Sequence, residues 1–157
     1  MDDINKDKMG ENRTIISFKV NEENFAFDAL KVRHILEYGD QTKVPNTPDY
    51  MLGVINLHGN IIPIADLRKI IGNENPVNTQ DTSIVVLSPD DQLHSYIGFV
   101  VDIVNEVFQV SEADIKPSII ENSIGMVNSL DGTIKIEEEF VNIINLDDLV
   151  EKIEEAK

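Results

Sequence analysis

The sequence predicts an all-β protein, and three observations support that class. Short apolar runs, alternating or continuous, recur about ten times between residues 14 and 144. Turn-forming residues, mostly Gly, Asn, Asp and Pro, separate these runs. Clear helical spacing of apolar residues occurs only near the C-terminus. So many short strands in one chain are typical of a β-sandwich or of small β-barrels.

The first predicted strand covers residues 14–20, where alternate positions are apolar. A polar turn at residues 21–24 separates it from Phe25 and Phe27, which is the pattern of a β-hairpin. The remaining predicted strands are 53–58, 61–65, 84–87, 96–101, 107–110, 124–130, 133–136 and 141–144.

Two dipeptides mark the expected hairpin turns. Asp131-Gly132 lies between two apolar runs, and Asp-Gly is favoured in type I′ turns because both central residues take positive φ. Gly59-Asn60 makes a similar case earlier in the chain. Pro63 has no backbone N–H to donate to a sheet, so we expect its strand to lie at an edge or to carry a bulge.

Helix is predicted in three short places. Residues 29–36 are expected to form a turn or two, and residues 47–51 a single turn with Thr47 as its cap and Pro48 at its first position. Residues 146–157 form the clearest predicted helix, since their apolar residues have helical spacing and two Asp lie near the positive N-terminal end. We expect this helix to pack as a lid on a barrel.

Residues 72–82 divide the chain into two predicted subdomains. The segment has no apolar periodicity and is rich in Asn, Asp, Pro and Gly. We therefore interpret it as a loop joining two small five-stranded barrels, about 21–72 and about 82–145, with strand 14–20 belonging to either. Residues 1–13 are charged and are expected to form a flexible N-terminus.

Composition disfavours several function classes. The chain has 29 acidic and 13 basic residues and a formal net charge of −16, which disfavours nucleic acid and anionic membranes as partners. It contains no Cys, so disulfides, zinc fingers and thiol nucleophiles are excluded. No apolar run of about 18 residues and no signal peptide occur, and we expect a cytoplasmic protein. Walker loops, dinucleotide fingerprints and serine elbows are also absent from the sequence, which predicts neither an enzyme nor a cofactor.

One long ordered motif, GVINLHGNIIPIADL, covers residues 53–67 and follows KVRHI at 31–35 and PNTPDY at 45–50. This arrangement resembles the CheW-type coupling proteins of bacterial chemotaxis, whose hallmark is G-V-x-N-L-R-G-x-I-[VI]-P-[VI]-x-D-L. The resemblance runs from about Thr14 to the last helix and covers a single CheW-like domain, 14–157. It implies two packed SH3-like five-stranded barrels and no catalysis. It further implies a signalling scaffold that bridges the cytoplasmic tips of chemoreceptors and the regulatory domain of the histidine kinase CheA, itself CheW-like.

Two positions depart from the family pattern. His58 stands where the family usually has Arg, and His34 where it usually has Glu. The resemblance implies that these positions lie near each other beside the receptor-binding groove. We therefore expect neighbouring imidazoles and partner binding that weakens below about pH 6.5, because two charged imidazoles repel each other. A Zn or Ni site with Glu37 or Asp66 as a third ligand is an alternative that the spacing does not support, so no metal is expected.

The resemblance also implies the residues of the receptor-contact surface. Structural roles in packing, capping or turn geometry are an alternative for Val32, Asn56 and the two glycines. Kinase contact is expected at exposed apolar positions, which include Val44 and Ile62. Two other functions stay open: a small-molecule or metal-binding barrel that uses the histidine pair, and a CheV-like coupling module without its receiver domain. The expected receptor groove, suited to a helical partner, consists of Val32, His34, Gly53, Asn56, His58 and Gly59.

Overall fold

The computed structural model describes residues 11–117 and 130–155, apart from the side chain of Leu93. Within this part of the chain, ten strands form two five-stranded sheets, which confirms the predicted all-β class with two β units. The strands are β1 (Asn12–Val20), β2 (Glu23–Asp28), β3 (Val32–Glu37), β4 (Met51–Leu57), β5 (Asn60–Asp66), β6 (Ser83–Leu87), β7 (Ile97–Val101), β8 (Ile103–Ser111), β9 (Leu130–Ile136) and β10 (Glu139–Ile144).

The two sheets have the same topology. Sheet one has the strand order β8-β1-β2-β10-β9, and sheet two has the order β3-β6-β7-β5-β4. In each sheet one pair is parallel, β2 with β10 and β5 with β7, and the other pairs are antiparallel. The strands β6, β7, β3, β4 and β5 are therefore the counterparts of β1, β2, β8, β9 and β10.

The sheets do not divide the chain at residues 72–82, where the sequence predicted the subdomain boundary. The hairpin β1–β2 pairs with strands from the second half of the chain, and the hairpin β6–β7 pairs with strands from the first half. Residues 12–72 and 82–145 are thus two chain halves with similar element order, each of which supplies a hairpin to the other half's sheet. Neither half completes a sheet by itself.

Three apolar cores follow from this arrangement. The central core lies between the sheets and joins them through Phe27 and Phe99, whose ring centroids are 5.7 Å apart. The opposite face of sheet one buries a core around Ile15 and Ile143, and the opposite face of sheet two buries one around Ile62 and Ile64. Strands β6 and β7 are buried on both faces, which explains why they read as continuous apolar runs.

Helix is limited to two segments and three short 3₁₀ turns among the described residues. Helix α1 covers Leu67–Ile71, which the sequence analysis missed, and helix α2 covers Leu146–Glu155 within the predicted 146–157. Helix α2 buries Leu146, Leu149 and Ile153 in the central core. None of the helices described is long and apolar enough to cross a membrane.

Several local predictions are corrected. Residues 29–36 are helical only at Ala29–Lys31, because Val32 begins an edge strand that pairs with β6. Residues 47–51 form a single hydrogen-bonded turn from the Pro48 carbonyl to the Met51 N–H, and Thr47 donates its hydroxyl to the Val44 carbonyl rather than capping a helix. Residues 12 and 13, expected in a flexible N-terminus, belong to β1. Residues 1–10, 156–157 and most of the predicted strand 124–130 lie outside the described residues.

The hairpin turn predicted at Asp131-Gly132 does not form there. Asp131-Gly132 lies inside β9, and the turn to β10 is made by Glu137 and Glu138, with φ of 48° and 70°. Gly132 has φ of 152°, and a Cβ built on it would lie 2.6 Å from the carbonyl oxygen of Lys116, so this glycine serves a close backbone approach and not a turn.

Pro63 does not lie on an edge strand, because β5 is paired with β4 on one side and with β7 on the other. The parallel ladder with β7 begins only at Ile64. Pro63 therefore lies just before that ladder, so its lack of an N–H does not interrupt the pairing with β7. The register shift between β4 and β5 lies further along, between Met51 and Gly53.

A buried ion pair links the sheets at the start of α1. Arg68 and Asp66 are each 1% exposed, and the guanidinium donates two hydrogen bonds of 2.9 Å to the two Asp66 oxygens. Arg68 also donates to Asp102, at the junction of β7 and β8, and to Asn78 in the long loop. Asp102 accepts a 2.8 Å hydrogen bond from the backbone N–H of Asn21, in the turn between β1 and β2.

The charge of Arg68 is maintained by these partners. Burial alone would lower its pKa, but the hydrogen bonds and negative charges of Asp66 and Asp102 outweigh burial and raise the pKa. Removing the guanidinium would leave Asp66 as an uncompensated buried carboxylate, and losing one partner of a buried ion pair strongly destabilises a fold.

We predict that Arg68→Met lowers the free energy of unfolding by about 3–5 kcal/mol, because it leaves the buried Asp66 carboxylate without its partner. Urea unfolding followed by circular dichroism measures this change. The neighbouring Lys69→Met is the matched control, since Lys69 pairs at 3.2 Å with Asp49, whose side chain is 86% exposed; its cost is expected to stay below about 1 kcal/mol. Equal effects of the two substitutions would contradict a structural role for the buried pair.

Candidate protein-binding site

Two histidines meet where β3 approaches the turn between β4 and β5. His34 lies on β3, and His58 lies in the β4–β5 turn, with ring centroids 6.2 Å apart and planes tilted by 46°. Tyr96, which directly precedes β7, places its ring 6.5 Å from His34 in an edge orientation. The structure thus brings together the two histidines that the sequence analysis paired and adds Tyr96, which that analysis missed.

The backbone explains how His58 reaches this position. The turn consists of His58 and Gly59, with φ of 54° and 86°, and Asn60 already belongs to β5. The predicted Gly59-Asn60 turn is therefore displaced by one residue. Left-handed backbone is uncommon for a non-glycine residue, although His tolerates it better than most. The side chain of Asn56 supports the turn by accepting a 2.9 Å hydrogen bond from the Gly59 N–H.

Neither imidazole is satisfied within the described part of the chain. His34 is half-buried and His58 is exposed, and neither side chain makes a hydrogen bond or an ion pair with a described residue. The adjacent cation, Arg33, is already engaged with Asp91 and with two backbone carbonyls. The polar ring atoms of both histidines are therefore free to meet a partner.

Other predicted groove residues have structural roles. Gly53 is buried, with φ of 144°, and a Cβ there would overlap the carbonyl oxygen of Thr42, whose backbone forms two hydrogen bonds with Val54. Val32 is half-buried and packs against the central core. Of the six residues expected in the groove, Gly53 is thus enclosed, whereas the histidines, Asn56 and Gly59 remain accessible.

The proposed metal ligands do not come together. Asp66 is committed to the buried pair with Arg68. Among the described residues, no group of three or more His, Asp or Glu is arranged to hold a metal ion. The two histidines therefore lack a third ligand from the part of the chain that is described.

The two predicted kinase-contact residues differ in exposure. Val44 is 43% exposed, but Ile62 is only 1% exposed and lies in the core of sheet two. The prediction for Ile62 is wrong because successive strand residues point to opposite faces of a sheet. The neighbouring residue, Ile61, is 63% exposed.

Further exposed apolar residues occupy equivalent places in the two sheets. Strands β5 and β10 can be aligned because each contains an isoleucine that pairs with a glycine, Ile64 with Gly53 and Ile143 with Gly132. Ile61 on β5 and Phe140 on β10 lie three residues before these isoleucines and are therefore equivalent. Ile35 on β3 and Val107 on β8 are equivalent as well, since they pair with Val85 and Ile16 of the counterpart strands. The sequence analysis missed these positions because strand alternation indicates a face but not which face is covered. Their exposures are Ile35 49%, Ile61 63%, Val107 61% and Phe140 54%.

Comparison with known proteins places this arrangement among chemotaxis proteins. The family model described as the CheW-like domain matches residues 14–154. The chain is 30% identical to the chemotaxis protein CheW of Helicobacter pylori, over 87% of this chain and 81% of that protein. It is 31% identical to the chemotaxis protein CheW of Bacillus subtilis, over 88% and 86% of the two chains. The crystal structure of the scaffolding protein TtCheW from Thermoanaerobacter tengcongensis matches with a TM-score of 0.77 and 30% identity, over 87% of this chain and 90% of that one.

We predict that Gly53→Ala lowers the free energy of unfolding by about 2–4 kcal/mol, because the left-handed backbone and the nearby Thr42 carbonyl leave no room for a Cβ. Thermal and urea unfolding measure the loss. A Gly53→Ala protein with unchanged stability but impaired partner binding would instead assign Gly53 a direct contact role. Gly39, with nothing within 4 Å of a built Cβ, provides the control substitution Gly39→Ala.

Proposed function

This chain belongs to the CheW-like domain family, and from that premise we propose that it couples chemoreceptor cytoplasmic tips to the regulatory domain of a CheA-type histidine kinase. The family consists of scaffold and adaptor proteins and not of enzymes. The observation that carries the proposal is the family match over residues 14–154. Binding to both partners would recruit the chain to receptor arrays at the membrane without insertion into it.

The receptor surface is proposed at the edge formed by β3 and the β4–β5 turn. His34 and His58 lie at this edge without a hydrogen-bond partner among the described residues, and Val32 is half-buried beside them. Leu30, in the 3₁₀ turn before β3, is 74% exposed and extends the apolar part of this surface. A receptor tip is a helical hairpin, and an amphipathic helix binds by placing apolar anchors over such an edge.

The kinase surface is proposed at the exposed apolar pairs of the two sheets. Ile35 and Ile61 mark sheet two, and Val107 and Phe140 mark sheet one. The regulatory domain of CheA is itself CheW-like, so it presents comparable sheet ends to this chain. Val44, 43% exposed in the segment between β3 and β4, stays a further proposed contact, whereas the buried Ile62 is withdrawn in favour of Ile61.

The available apolar surface is sufficient for a reversible contact. Burying one large aliphatic or aromatic side chain contributes about 1.5–3 kcal/mol. Two or three such anchors support an affinity near micromolar after the costs of association are subtracted. A moderate affinity of this kind fits an adaptor that must exchange between partners.

The coupling function is tested by reconstitution. Receptor tip assemblies and a CheA-type kinase are combined with and without this protein, and kinase autophosphorylation is measured. We expect receptor control of the kinase only when this protein is present, because it supplies the physical link between the two. If kinase activity is the same with and without the protein at saturating concentrations, the coupling proposal fails.

The two surfaces are separated by a pair of charge substitutions. Ile61→Asp and Phe140→Asp are each expected to weaken binding to the kinase regulatory domain by about 10- to 100-fold, since each puts a charge where an exposed apolar side chain would become buried in the complex. Calorimetry with the isolated regulatory domain measures the change. Leu30→Asp is the reciprocal control, expected to weaken receptor binding and to leave the kinase affinity unchanged. Loss of both partners in all three variants would contradict separate surfaces.

A further inference from the structure

We propose that His34, His58 and Tyr96 form a seat for a cationic side chain of the docking partner, with the guanidinium of an arginine as the best fit. This inference deepens the receptor surface assigned above and rests on that assignment only for the partner's identity. The chemistry of the seat comes from this chain's own His34 and His58, which stand where the family resemblance implies Glu and Arg.

The geometry brings three rings to one open place. The centroids of His34 and His58 are 6.2 Å apart, and those of His34 and Tyr96 are 6.5 Å apart. Tyr96 is held in place because it packs against the core of sheet two. Tyr96 also lines a groove of about 240 Å³ that continues to helix α2 and includes neither histidine of the cluster.

The polar atoms of the seat are unused. A neutral imidazole has one nitrogen that donates and one that accepts a hydrogen bond. Neither histidine has a hydrogen-bond or ion-pair partner in the described ranges 11–117 and 130–155, so two acceptor nitrogens are available. A guanidinium supplies several N–H donors in one plane and also stacks on aromatic rings, which matches two acceptors beside a tyrosine face.

The surrounding charge favours a cation over an anion. The chain as a whole carries a net charge of −16. Along the chain, Glu37 ends β3, and Asp90, Asp91 and His94 lie in the loop that leads to Tyr96. Arg33, the nearest cation on β3, is paired with Asp91 and does not occupy the seat.

The test uses this chain alone and a small probe. N-acetyl-argininamide is titrated into the protein while the ring signals of histidine and tyrosine are followed by NMR. We expect saturable shifts at pH 8 confined to His34, His58 and Tyr96, with a dissociation constant in the millimolar range. N-acetyl-citrullinamide, which has nearly the same shape without the charge, is expected to cause no saturable shift.

Variants separate the seat from general effects of charge and folding. His58→Asn keeps a residue that tolerates the left-handed turn, and Tyr96→Leu keeps an apolar side chain; each is expected to abolish the saturable shifts while the remaining spectrum stays native. Val77→Ala, at a 75% exposed position in the loop between the chain halves, is the control and should leave binding unchanged.

Three results would overturn the proposal: equal shifts with the citrulline probe, no saturable shift at pH 8, or tighter binding of an N-acetyl-aspartamide probe than of the arginine probe. The last result would assign the site to an acidic partner residue. Because no receptor or kinase is present in this experiment, its failure leaves the coupling function untouched. Conversely, a protein that binds the arginine probe but does not couple receptor to kinase would refute only the coupling function.

Discussion

The buried contact between Arg68 and Asp66 is the constraint on which the rest of the structure depends. A buried carboxylate and a buried guanidinium are tolerated only when they satisfy each other, and here they also fix the elements around them. Through Asp102 and Asn21 the network reaches the β1–β2 turn of sheet one, and through Asn78 it reaches the loop between the chain halves. The relative position of the two sheets is thus set by polar geometry as well as by the phenylalanine core.

The exchanged hairpins also hold the two sheets together. Each half of the chain completes its sheet only with strands from the other half, so the two sheets cannot separate without breaking ladders in both. The result is a body with two similar ends and a shared core. An adaptor benefits from such a body, because partners bound at different places are held in a fixed relation by covalent and sheet connections instead of by a flexible linker.

The proposed binding edge consists of residues that build the β4–β5 hairpin and of one histidine, His58, with an uncommon backbone conformation. Gly53 and Asn56 build the β4–β5 hairpin: the first admits the Thr42 strand segment, and the second caps the turn. His58 is placed by that hairpin in a left-handed conformation that asparagine or glycine would adopt more readily. The hairpin turn thereby places the ring of His58 6.2 Å from that of His34.

The sequence by itself determined the all-β class, most strands, the C-terminal helix and the family, because alternation, turn residues and an ordered motif are local properties of the chain. It paired His34 with His58 only through the family resemblance. Tertiary structure decided which face of β5 is covered, and so exchanged Ile62 for Ile61 as the exposed residue. It also decided that Asp131-Gly132 continues a strand, that Tyr96 joins the histidines, and that each hairpin belongs to the other half's sheet. These outcomes arise from strand pairing between residues far apart in the chain, and no local pattern encodes which strands will meet.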